Sequence, residues 1–240
     1  EMMSADEMQA ALAAIKTLLP ELPPRRSRRW QPRQRGGQLA MRAALRAASR
    51  KAGLVLPQFQ TRQTAPRPLV ILCDISGSME HYSRVMLHFI HGLTQHQPAV
   101  HSFLFGTKLT NITRQMRQRD VDAAVQAIST SVADWSGGTL IGSNLHLFNR
   151  DWSRRVLTGG ASVILITDGL DRTPDGDISA LQRLHFEMER LHKSTYNLIW
   201  LNPLLRFDGF APKSHSIQTI LPHVDDFLPM HSLQSISDIA

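Results

Sequence analysis

Leu69-Val70-Ile71-Leu72-Cys73-Asp74-Ile75-Ser76-Gly77-Ser78 is the stretch that decides how this chain is read. Five consecutive apolar residues predict a strand covered on both faces, as in a parallel sheet. The run then breaks into Asp74, Ser76 and Ser78, spaced by two, with Gly77 allowing a tight turn between the serines. Further along, apolar runs alternate with helical patterns. Helix 79–96 is followed by strand 99–105, a short strand at 109–113 and helix 120–130, for which Asp120 is the expected N-cap. Helix 143–151, strand 162–167, helix 178–192 and strand 196–201 complete the series, and the tail 203–240 reads as loop-rich with a helical turn near 233–239. Such alternation implies a doubly wound α/β domain, a mostly parallel sheet flanked by helices, with ligands at the carboxyl ends of the strands.

Two more polar clusters fall at that same edge. Strand 162–167 runs into Asp168-Gly169, and Gly137-Gly138-Thr139 precedes helix 143–151. Asp74, Ser76, Ser78, Thr139 and Asp168 therefore converge as two carboxylates and three hydroxyls, all hard oxygen donors. That set suits Mg²⁺ or Mn²⁺ and is wrong for metals that favour nitrogen or sulfur. The plainer reading, a serine-rich turn capping helix 79–96 through Ser78, accounts for neither Thr139 nor Asp168.

The pattern resembles the metal-ion-dependent adhesion site of von Willebrand factor A (VWA) domains: Asp-x-Ser-x-Ser after the first strand, a Thr in a middle loop and Asp-Gly after a later strand. The resemblance implies direct ligation by Ser76, Ser78 and Thr139, with Asp74 and Asp168 acting directly or through water. Several segments narrow it to the CoxE-like branch: Cys-Asp-Ile-Ser-Gly-Ser-Met at 73–79, Phe-Gly-Thr-Lys-Leu-Thr at 105–110, Asp-Trp-Ser-Gly-Gly-Thr at 134–139, Phe-Asn-Arg-Asp-Trp at 148–152, Ile-Trp-Leu-Asn-Pro-Leu at 199–204 and Pro-His-Val-Asp-Asp-Phe-Leu-Pro at 222–229. Membership implies an accessory protein that works with a MoxR-type AAA+ ATPase in maturing a client metalloenzyme, of which carbon monoxide dehydrogenase is the best-known example.

Outside this core the charge is uneven. Net charge is +7, yet residues 25–67 hold twelve Lys and Arg and no acidic residue lies between Glu21 and Asp74. Residues 1–67 are thus expected to form a helical, Arg-rich arm before a VWA-like domain at 68–240. Met8, Leu12, Ile15 and Leu19 predict an amphipathic helix over 5–19, residues 25–37 read as an irregular arm, and 38–52 as a helix whose apolar side is Leu39, Ala43, Leu45 and Ala48. Residues 54–67 read as a link. A basic stretch of this kind fits docking on an acidic protein surface, or packing onto the acidic remainder of its own chain. The alternative is an RNA-binding VWA protein gripping phosphates, although Trp30 is the only aromatic among these arginines.

Several classes are disfavoured. No Gly-x-x-x-x-Gly-Lys-Ser/Thr occurs, so any nucleotide hydrolysis falls to a partner, and no Gly-x-Ser-x-Gly elbow supports a hydrolase. The chain therefore reads as a binding module, not an enzyme. No apolar run is long enough to span a membrane. The single Cys73 cannot form an internal disulfide and Glu1-Met2-Met3-Ser4 has no signal-peptide pattern, which fits a cytoplasmic setting. His88 and His91 share a helix face, but two histidines make only a partial metal site.

Overall fold

The computed structural model describes residues 24–50, 54, 56–132, 138–172, 177–206 and 211–229, without the side chains of Ser78, Glu80, His81, Tyr82 and Arg84. The helix expected over 5–19 and the turn expected near 233–239 lie outside the described residues. The chain divides into two compact units, Pro23–Pro66 and the remainder.

The first unit, Pro23–Pro66, is built on a three-stranded sheet of order β1-β3-β2. Strand β1 (Arg25–Arg33) runs antiparallel to β3 (Phe59–Ala65), pairing Arg25 with Ala65 at one end and Arg33 with Phe59 at the other, with an irregularity between Arg26 and Trp30. Strand β2 (Gln38–Leu39) pairs on the other side of β3. Both the irregular arm expected at 25–37 and the link expected at 54–67 are therefore corrected. Sheet pairing satisfies backbone N–H and C=O groups whatever the side chains are. A strand of Arg, Ser, Trp and Gln shows no apolar alternation to reveal it. The helix of this unit, α1 (Met41–Arg50), buries Ala44 and Ala48, whereas Leu39 and Leu45, expected on its apolar side, are exposed.

The second unit carries a six-stranded sheet of order β6-β5-β4-β7-β8-β9. Its strands are β4 (Leu69–Asp74), β5 (Val100–Phe105), β6 (Leu109–Asn111), β7 (Ser162–Ile166), β8 (Asn197–Asn202) and β9 (Asp226–Pro229). All pairings are parallel except β5 with β6. The helices are α2 (Glu80–His96), α3 (Thr113–Met116), α4 (Val121–Ser131), α5 (Ile141–Asp151), α6 (Ser153–Val156), α7 (Ile178–Ser194) and α8 (His215–Ile220). The doubly wound α/β expectation holds. Strand β9 and helix α8 are additions within a tail that reads as loop-rich.

Alternation along β4 feeds two cores. Leu69, Ile71 and Cys73 join a cluster with Met86, Ile90 and Ile128, while Val70 and Leu72 join Phe148, Leu184 and Trp200. An apolar residue is needed at every position because each face has its own helical cover. Asp120 caps α4, its carboxylate accepting from the N–H of Asp122 at 2.9 Å, and Asp177 caps α7 through the N–H groups of Ser179 and Ala180. Helices α5 and α7 interlock at buried Glu187, whose carboxylate lies 2.7 Å from Nδ1 of His146 and accepts from Nδ2 of Asn149 at 2.8 Å. The Cys73 thiol is buried and burial pushes its pKa far up, with Asp74 adding to the push, as suits a small core residue.

The register positions the site. Cys73 stands level with Leu104 on one side and Ile166 on the other. Asp74 and Thr167 therefore leave the centre of the sheet at the same height. No helix among the described residues is long and apolar enough to cross a membrane.

Candidate metal centre

Asp74 is fully buried at the carboxyl end of β4. Its Oδ1 accepts from the backbone N–H of Ser76 at 2.8 Å and from the hydroxyl of Thr139 at 2.9 Å. Its Oδ2 accepts from the hydroxyl of Thr167 at 2.8 Å. One carboxylate thus ties together the ends of β4 and β7 and the loop before α5. Each Thr spends its hydroxyl proton on Asp74, which leaves oxygen lone pairs for a further partner.

Asp168 is also buried. Its Oδ1 accepts from the N–H of Leu170 at 2.9 Å, while Oδ2 has no hydrogen-bond partner. A buried carboxylate oxygen left unpaired is costly. A cation in the same cluster removes that cost. Ser76 is buried beside Asp74, and Ser78 lies in the 3₁₀ turn Gly77–Met79, its side chain outside the described residues. Helix α2 starts from Met79, which makes no side-chain cap. Among the described residues, no three His, Cys, Asp or Glu side chains gather to hold a metal. A divalent site here must draw on hydroxyls, and this one offers them. Asp74, Ser76, Thr139 and Asp168 come together as expected, and their all-oxygen donor set fits Mg²⁺ or Mn²⁺.

The loop that carries Asp168 is held from behind. Nε1 of Trp200 donates to the carbonyl of Thr167 at 2.9 Å, Nδ2 of Asn202 to that of Asp168 at 3.1 Å, and Oγ of Ser216 to that of Gly169 at 2.8 Å. Three consecutive carbonyls are each fixed by a buried side chain from β8 or α8. Gly169 has φ +79°, and a Cβ there would lie 2.7 Å from Trp200 and 2.8 Å from Ile217. A Cβ on Gly138 would strike the Arg172 side chain, whose backbone N–H donates to the carbonyl of Thr139 at 2.9 Å. Thr167, Trp200, Asn202 and Arg172 are supports that the sequence pattern alone does not assign. The available signal was adjacency: Thr167 precedes Asp168, and Trp200 and Asn202 sit two apart at the end of an apolar strand.

Burial raises the Asp74 carboxyl from 3.8 to about 6. Hydrogen bonds from Ser76, Thr167 and Thr139 pull it down, and the charge of Asp168 pushes it further up. In the metal-free protein the folded state then holds this proton more tightly than the unfolded chain. The resulting stability is complete below pH 4 and is lost as pH rises through about 6, a loss of about 3 kcal/mol. Asp74→Asn does not titrate. In EDTA it should gain on the wild type as pH rises from 4 to 7, by denaturant unfolding. A constant difference between the two proteins across that window would contradict the shift. A divalent ion held through this carboxylate would have the opposite sign, since protonation of Asp74 would oppose its binding.

Among the described residues, the histidines of α2 join no group of three metal-ligating side chains. His91 is buried with Nε2 2.8 Å from the carbonyl of Gln118, and Nδ1 of His96 lies 2.8 Å from the carbonyl of Gly92.

A doubly wound sheet with Asp-x-Ser-x-Ser at its central strand, met by Thr139 and Asp168 from neighbouring loops, defines a VWA domain. The chain belongs to the family of VWA domain containing CoxE-like proteins, whose family model matches residues 8–236. Among curated proteins no sequence matches the chain. Solved structures with a similar fold include an aerotolerance-related membrane protein from Bacteroides fragilis NCTC 9343, carrying multiple mutations to serines, at 15% identity over 72% of this chain and 96% of that one, with a TM-score of 0.44. Proximal thread matrix protein 1 from the mussel byssus aligns at 17% identity over 72% of this chain and 46% of its own length, with a TM-score of 0.46. The same mussel protein with a zinc-occupied MIDAS motif aligns at 15% identity over 72% and 46%, with a TM-score of 0.43.

Proposed function

We propose that this chain is a non-catalytic, cytoplasmic accessory protein that binds its partners through a divalent metal. The ion, Mg²⁺ or Mn²⁺, would be held by Asp74, Ser76, Ser78, Thr139 and Asp168. The observation that carries the reading is the unpaired, buried Oδ2 of Asp168 in one cluster with the fully buried Asp74. Two carboxylates crowded out of water are stable together only with a cation or a proton between them. When bound, the ion supplies positive charge facing solvent and a coordination position for an outside oxygen. The hydroxyl ligands are neutral, and with Asp74 and Asp168 acting mostly through water the ion would keep much of its charge toward the surface. A Glu or Asp of the partner is the natural occupant, because a charged oxygen gains more there than a water does.

The partner we infer is a MoxR-type AAA+ ATPase, and the joint task is maturation of a client metalloenzyme, a carbon monoxide dehydrogenase type being one candidate. Family membership supports this, as does the absence of a phosphate-binding Gly-Lys-Ser/Thr loop in this chain, which leaves ATP hydrolysis to the partner. The test is co-purification of the ATPase on the immobilised full chain. EDTA should release it and Mg²⁺ should restore it. Thr139→Ala should weaken the complex at least about tenfold, the scale of loss when a supporting group of a metal site is removed. A complex that survives both EDTA and Thr139→Ala would place the interface elsewhere and sink the metal-mediated reading.

A further inference from the structure

The unit Pro23–Pro66 has a charge pattern that the metal centre does not use. It holds ten Arg and one Lys and no Asp or Glu. The rest of the chain cannot balance it in bulk, having sixteen Lys and Arg against twenty Asp and Glu. Eleven like charges in one short unit repel each other, and a polyanion from outside relieves that repulsion.

The arrangement of the charges selects the kind of polyanion. Arg26 and Trp30 from β1 meet Thr64 and Arg62 of β3 in register, on the exposed side of the sheet. With Gln38 and Gln60 they line a cleft of about 400 Å³, and the Arg62 guanidinium lies 5.3 Å from the Trp30 ring centre. Gly37 borders the cleft at φ +89°, where a Cβ would lie 2.6 Å from the carbonyl oxygen of Gln60. Along α1, Arg42, Arg46 and Arg50 recur every fourth residue, about 6 Å apart along one side of the helix. An acidic protein surface would use the arginines but has no need of an exposed indole and neutral amides in one cleft. A nucleotide strand uses all three: phosphates on the arginines, a base on the planar Trp30 and Arg62 groups, and base edges on Gln38, Gln60 and Thr64.

We propose that the Pro23–Pro66 sheet is a binding site for single-stranded nucleic acid, with Trp30 and Arg62 as its stacking platform. It shares no residue with the metal centre, so its occupancy is expected not to require a divalent ion.

Fluorescence anisotropy of the full chain with labelled twelve-nucleotide U and dT strands tests this, in EDTA and in Mg²⁺, over a salt series. Binding to at least one strand is expected in EDTA, with Mg²⁺ not required and acting only as added salt, and it should weaken with salt at a log–log slope of about −0.7 per phosphate contacted. Trp30→Ala should weaken it about tenfold, and Trp30→Phe should restore most of that. Neither change should alter binding to inorganic polyphosphate, which has charge but no bases. Arg26→Gln with Arg62→Gln should lower both the affinity and the salt slope. Failure to bind either strand at low salt would overturn the proposal. So would polyglutamate binding as tightly as the strands with no effect of Trp30→Ala, which would mark the face as a dock for acidic protein.

Discussion

Asp74→Ala should lower the affinity for Mg²⁺ or Mn²⁺ by on the order of 100-fold, at the upper end of losses seen when a metal site's supporting carboxylate is removed. Asp74 is where the backbone of Ser76 and the hydroxyls of Thr139 and Thr167 converge. Its loss removes a negative charge and also frees two proposed ligand loops to drift. The metal-free fold should survive. Three donors lose an acceptor, at a cost of about 1–3 kcal/mol for each one left unpaired. Against this, the variant no longer buries two carboxylates side by side. Titration calorimetry reads the affinity, and denaturant unfolding in EDTA reads the fold. Asp74→Asn keeps an acceptor oxygen and should lose metal to a similar degree with a more stable metal-free state. Unchanged affinity in both variants would remove Asp74 from the metal site.

Gly169→Ala should be among the most damaging single-methyl additions in the chain. The backbone at φ +79° costs a side-chain-bearing residue about 1–2 kcal/mol. The new methyl would also meet Trp200 and Ile217 below 3 Å, and both are buried in the core behind the loop. Overpacking of this kind costs about 1–3 kcal/mol more. The expected sum is about 2–5 kcal/mol, a fall in melting temperature on the order of 10 °C for a unit of this size. Relief of the clash requires the loop to move, and Asp168 moves with it. Metal affinity should therefore fall together with stability. A variant melting within about 2 °C of the wild type would show that the loop yields freely, and that its three carbonyl clamps hold little.

Much of the architecture was legible because each central strand is buried on both faces. The runs at 69–73 and 163–166 are continuous and apolar, and an aspartate follows each within two residues. The same change from apolar to polar made Asp74, Ser76, Ser78, Thr139 and Asp168 visible as candidates before any contact was known. The supports were not legible, since they depend on distance in space. Nothing local in Trp200 or Asn202 says that their side chains reach back to the carbonyls of Thr167 and Asp168. Strand β1 escaped for another reason. Its partner β3 is separated from it by β2 and α1, and its own residues are chosen for charge, so pairing left no pattern to read. Strand β9 has only Asp-Phe-Leu-Pro to announce it, and α8 only six residues.

The two outer strands of the six-stranded sheet bear on how this protein keeps to itself. At one margin β6 offers three residues, and at the other β9 offers four, opening on Asp226 and closing on Pro229, which has no N–H to give. Short margins interrupted by a charge and a proline are poor templates for another chain's backbone. Copies of the protein are thereby discouraged from zipping together edge to edge, even at high concentration. A partner of this unit would meet the same restraint, since it could not readily lengthen the six-stranded sheet to gain a hold. Its grip there would rest on side chains and loops, and a grip of that kind can be released by changing one ion or one charge.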